Sequence, residues 1–194
     1  MTTDLTPVSP AKLARLEAAA QRRRGPVLLA DVSGSMDTQD TVGGLRRIDH
    51  LAQLMGHLLS RTRLQALIAF ETTPVHIPLQ GAIQLPRPSG STHLGLALDD
   101  VLRLSPTPTR CIILCDGEVT DRDRAMTNAS HLRYQSIPID AFFVGDDNDL
   151  EAQRFLRELV AMGAPGGSYA KHQLGDHYRI AEEIVLRLTH DARR

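Results

Sequence analysis

Residues 26–40 read PVLLADVSGSMDTQD, an apolar run that ends in an aspartate followed by two serines around a glycine. Val27, Leu28, Leu29 and Ala30 carry no polar side chain. Such a run suits a strand covered on both faces, as in a parallel sheet with helices on each side. Asp31 then falls at the strand's carboxyl end, the edge where open α/β sheets bind ligands. Gly34 between Ser33 and Ser35 is expected to let the backbone curl, so that two hydroxyls and one carboxylate converge. Oxygen donors of this kind suit a hard cation, Mg²⁺ first, with Mn²⁺ or Ca²⁺ as substitutes. The same residues also suit an ordinary strand-to-helix loop, since Asp, Ser and Gly all favour turns.

On the amino-terminal side, Ser9-Pro10 offers a hydroxyl N-cap followed by proline, and Ala11 to Arg24 is rich in helix formers. Residues 1–25 are therefore expected to form a helical arm, stopped at Gly25-Pro26, and residues 26–194 the domain proper. Arg22-Arg23-Arg24 at that helix's end complements the macrodipole, and no aromatic residue accompanies it to stack on bases. On the other side, Ile48, Leu51, Leu54, Met55, Leu58 and Leu59 recur at helical spacing and predict a crossover helix through Arg61. Strands are predicted over Gln65 to Phe70 and Val75 to Leu79. Too few residues separate them for a parallel crossover, so they form an antiparallel pair.

Gly81 to Ser91 reads as a loop that delivers the chain to a helix over Leu94 to Leu104. A buried strand, Arg110 to Cys115, follows and ends at Asp116-Gly117. Beyond it the pattern predicts a polar helix over Asp121 to Tyr134 and a strand over Ile139 to Val144. Next come a capped helix to Met162 with Leu150, Phe155, Leu156, Leu159 and Val160 inward, and a loop over Gly163 to Gly167. A short strand over Ser168 to Lys171 and a closing helix over Asp176 to Thr189 complete the chain. The acidic cluster Asp146-Asp147-Asn148-Asp149 lacks the alternating spacing of a calcium loop and reads as a turn with an N-cap.

The 194 residues with 42% hydrophobic content suffice for one large domain. A net charge of −1 supplies no global field for nucleic acid or an anionic membrane. Cys111 and Cys115, four apart in one strand, lie roughly 13 Å from each other, too far for a disulfide, and are expected to be reduced. The amino terminus lacks a signal-like run, and no segment reaches the roughly 18 to 20 apolar residues of a membrane span. These features point to a cytoplasmic protein.

Alternating strands and helices give a three-layer α/β/α, doubly wound, Rossmann-like domain: a mostly parallel sheet with one antiparallel edge strand. Its carboxyl edge collects three groups of oxygen ligands: Asp31, Ser33 and Ser35; then Thr92, just before a helix; then Asp116, ending a central strand. In DVSGS, STHLGLAL and ILCDGEVTD, in that order, the sequence resembles the von Willebrand factor A (VWA) domain with its metal-ion-dependent adhesion site (MIDAS), in the stand-alone bacterial form. The resemblance covers about Pro26 to Thr189. Cys115 stands where many relatives have threonine or serine, and Ser91 where many have glycine.

The resemblance implies a Mg²⁺ held by Asp31, Ser33, Ser35, Thr92 and Asp116, with an open position for an Asp or Glu of a protein partner. It implies a binding module, not an enzyme, of the kind that accompanies AAA+ ATPases or stress and conflict systems. Loop position places Met36, Asp37, Gln39, His93, Glu118 and Asp121 around the opening. The alternative, a Mg²⁺-dependent phosphoester hydrolase or phosphotransferase, lacks support in the motifs. Ser33 replaces the second carboxylate of an Asp-x-Asp pair, and there is no Walker loop and no G-x-S-x-G elbow. The only lysines, Lys12 and Lys171, lie outside the motifs, and His93 is the one imidazole near the metal.

Overall fold

A computed structural model describes residues 24–39, 44–171 and 177–191. Six strands form one sheet: β1 (Pro26–Asp31), β2 (Ala66–Phe70), β3 (Pro74–Ile77), β4 (Arg110–Cys115), β5 (Pro138–Phe143) and β6 (Ala164–Lys171). Their order across the sheet is β3-β2-β1-β4-β5-β6, all parallel except β3, which pairs antiparallel with β2 at one edge. Among the described residues five helices cover it: α1 (Arg47–Arg61), α2 (Leu94–Arg103), α3 (Arg122–Tyr134), α4 (Leu150–Met162) and α5 (His177–Asp191). The helix predicted over residues 11–24 lies outside the described residues except for Arg24.

Alternation along β1 and β4 divides the core in two. Val27, Leu29, Cys111 and Ile113 face α2, α3 and α4, whereas Leu28, Ala30, Ile112 and Leu114 face α1 and α5. Every residue of β1 and β4 is buried, as covering both faces requires. At about 1.5–3 kcal/mol for each large apolar side chain, these two strands anchor the domain. From β1 the chain crosses by α1 to β2 over one face; from β4 it crosses by α3 to β5 over the other. The crossovers diverge between β1 and β4, so the switch point lies between the ends of the strands that carry Asp31 and Asp116.

Two expectations are corrected. Leu150, expected inward, is 70% exposed. The buried apolar positions of α4 are Ala152, Phe155, Leu156 and Leu159, at helical spacing, and Leu150 falls about 200° around the axis from Ala152. The last strand begins at Ala164, not Ser168, with a register irregularity against β5. The Pro and Gly residues that read as loop are tolerated because β6 is an edge strand.

Candidate metal centre

Side chains alternate along β1 and β4, so Asp31 shares the phase of Leu29, and Cys115 that of Ile113. Both point toward the α2–α3 side. The Cys115 thiol donates to Asp31 Oδ2 at 3.1 Å and accepts from the Gly117 N–H at 3.1 Å. Asp116, one residue further, takes the opposite phase and meets α1. There the Arg47 guanidinium donates to Asp116 Oδ2 at 3.1 Å, and both side chains are buried. Asp31, Cys115 and Asp116 each offer a ligand atom, and the three lie within 4.8 Å of one another.

Gly117 turns the chain away immediately after Asp116, with φ of 85°, and a Cβ there would meet that of Ala152 at 2.7 Å. This position needs glycine on both counts. Gly34 does not: it adopts no left-handed conformation, and the curl expected of it is a 3-10 turn over Gly34–Asp37 that any residue can form. The turn sets the Ser33 and Ser35 hydroxyls 3.0 Å apart, and the Ser33 N–H donates to Asp31 Oδ1 at 2.8 Å.

Backbone bonds stitch the three loops together. Ser89 donates to the Val32 carbonyl at 3.1 Å and Gly34 to that of Gly90 at 3.2 Å. Thr92, which is buried, pairs with Val119, and the Thr120 N–H donates to the Thr92 carbonyl at 2.9 Å. The expected rim residues divide. Glu118 and Gln39 are exposed, and Asp37 is exposed but bonded to Arg46 at 3.0 Å. His93 Nδ1 donates to the Thr72 carbonyl at 2.9 Å, tying the imidazole to the β2–β3 turn. Asp121 accepts from the Gly95 and Leu96 N–H groups at 3.0 and 3.2 Å, so it caps α2. Met36 corrects the expectation: only 1% exposed, it packs in the α1–α5 core because the 3-10 turn rotates it inward.

Electrostatics mark the centre. Burial pushes the Asp31 carboxyl up to about 7, and the neighbouring charge of Asp116 adds to this, against the bonds from Ser33 and Cys115. Burial, with the charges of Asp31 and Asp116, also holds the Cys115 thiol well above its ordinary value, so it remains an S–H donor. A divalent cation fits this donor set. Two buried carboxylates that repel each other gain most from a shared cation, and the serine hydroxyls on the same loop supply neutral oxygens.

Arg47 was not foreseen as part of the site. A signal was present: it lies four residues before Leu51 and seven before Leu54, a charged residue in phase with an apolar stripe.

The fold and this edge define an α/β domain with a carboxylate–hydroxyl centre at the switch point of its sheet. Comparison with solved structures identifies the fold as that of VWA domains. BatB from Bacteroides thetaiotaomicron superposes with a TM-score of 0.68 at 16% identity, covering 88% of this chain and 100% of that one. The SpRpn10 VWA domain gives 0.61 at 10% identity, over 81% of this chain and 94% of that one. Proximal thread matrix protein 1 from the mussel byssus, with a zinc-occupied MIDAS motif, gives 0.62 at 17% identity, over 86% of this chain and 46% of that one. No family model matches the sequence, and no curated protein matches it. Among the described residues, no helix is long and apolar enough to cross a membrane.

Proposed function

We propose that the chain is a metal-dependent protein-binding module. Asp31, Ser33, Ser35, Thr92 and Asp116 hold a divalent cation, Mg²⁺ in the first instance, and a partner's Asp or Glu completes its coordination. The observation that carries this reading is the buried, mutually repelling pair Asp31 and Asp116 beside the Ser33 and Ser35 hydroxyls at the switch point. When bound, the cation supplies an acceptor for an external carboxylate. The chain's residues orient it: the Ser33 N–H and the Cys115 thiol fix Asp31, and Arg47 fixes Asp116. Exposed Gln39 and Glu118 are positioned to select among partners. The setting proposed is a cytoplasmic multi-protein system, AAA+ ATPase-linked or of the stress and conflict kind.

The test is a melting curve with and without the metal, beside affinity capture in Mg²⁺ and in excess chelator. At a cation concentration of about 100 times Kd, stabilisation of about 2.7 kcal/mol is expected, a rise of roughly 5 to 10 °C. Asp31→Ala and Asp116→Ala should remain folded and lose both the rise and the capture. Undiminished capture by either variant, or in chelator, overturns the reading.

A further inference from the structure

Arg47 changes the charge balance of the centre. Its guanidinium lies 3.1 Å from Asp116 Oδ2, its side chain is 9% exposed, and α1 packs it into the apolar face beneath the site. Guanidinium is charged at every working pH and cannot leave the balance by losing a proton. With both carboxylates ionised, the trio Asp31, Asp116 and Arg47 therefore carries one net negative charge before any cation enters. A divalent cation leaves it with one net positive charge, and an incoming carboxylate returns it to neutrality. Without Arg47 the same cation would already neutralise the site.

We propose that Arg47 is a built-in counter-ion that weakens cation binding in the absence of an anionic ligand and couples cation uptake to capture of a carboxylate. The inference rests on the proposed function above and adds a residue that the motifs do not contain. Arg47 acts in two ways. It occupies one acceptor site of Asp116, leaving fewer for a cation, and its fixed positive charge beside that carboxylate opposes a second one. Once the cation is in place, the excess positive charge strengthens the pull on a carboxylate. By linkage, that carboxylate strengthens retention of the cation by the same factor. A bystander arginine that merely filled space would produce neither effect.

The experiment titrates Mn²⁺ into the full chain and follows loss of the free-ion electron paramagnetic resonance signal, in wild type, Arg47→Gln and Arg47→Lys. Glutamine keeps a donor for Asp116 without the charge; lysine keeps the charge without the planar fork. Arg47→Gln is expected to bind Mn²⁺ roughly tenfold or more tightly than wild type. Arg47→Lys should stay within about threefold of wild type, which separates charge from packing. Equal or weaker binding by an Arg47→Gln protein that melts cooperatively overturns the inference and leaves the metal reading standing. Failure of all three proteins to bind Mn²⁺ overturns both. Should Arg47→Gln not fold, wild type alone decides: acetate replacing chloride at constant ionic strength should tighten Mn²⁺ binding about fivefold, and no change overturns the proposal.

Discussion

Two buried ion clusters sit in the two halves of the sheet and are balanced in opposite ways. Within β5, Asp140 accepts from Arg110 at 2.6 Å, from Arg187 at 3.5 Å and from the Ser168 hydroxyl. One carboxylate there faces two guanidinium groups, and Arg187 also pairs with Glu183 of its own helix. At the carboxyl edge, two carboxylates lie together and the Arg47 guanidinium pairs with one of them, Asp116. The first cluster is satisfied by the chain itself and ties β4, β5, β6 and α5 together. In the second, burial first and the neighbouring charge of Asp116 next push the Asp31 carboxyl up to about 7. The domain surrounds one buried carboxylate with cationic partners and leaves two others side by side at the carboxyl edge.

That contrast is open to direct measurement by urea denaturation of the metal-free protein. Asp140→Ala is expected to cost about 3–5 kcal/mol, because it removes the carboxylate that balances the buried Arg110 charge. Asp116→Ala takes a partner from the buried Arg47 as well, but it relieves the repulsion on Asp31 and should therefore cost clearly less. The reverse ranking would break the comparison.

A smaller effect depends on pH. The unfolded Asp31 carboxyl releases its proton near 3.8 and the folded one near 7. Between these values the folded state holds the extra proton, so this group makes stability fall as pH rises through the window and level off above it. Asp31→Asn is therefore expected to stabilise the metal-free protein by about 2 kcal/mol at about pH 8 and by little at about pH 4. A difference of wild type and variant that stays flat with pH would show that Asp31 is not strained by its surroundings. Smallest of all, Leu150→Ala should change stability by less than about 0.5 kcal/mol, while Leu156→Ala costs about 2–5 kcal/mol. Similar costs for the two would contradict the phase of α4.

Much of this was legible in the chain. The unbroken apolar runs at Val27–Ala30 and Cys111–Leu114 give the buried parallel strands, and the short connection after Phe70 gives the antiparallel edge. Less legible were the ends of elements. Gly and Pro at residues 163–167 carry turn signals that an edge strand overrides, and a leucine at a helix's first position reads as inward without its phase. At the site, motif order identified the residues that the loops carry, but loop position could not separate Met36, turned into the core, from Glu118, turned outward. Nor did it distinguish Asp121 as a cap on α2.

What the sequence determined by itself was the periodicity and the donors: which segments alternate every two residues, which every 3.6, and which oxygens stand at strand ends. These are local properties, written in neighbouring residues. The pairing of Arg47 with Asp116 and the thiol bond to Asp31 were decided only by tertiary structure, across 69 and 84 residues of chain. Charge compensation depends on distance in space and on burial, and neither quantity exists until α1 is folded against the ends of β1 and β4.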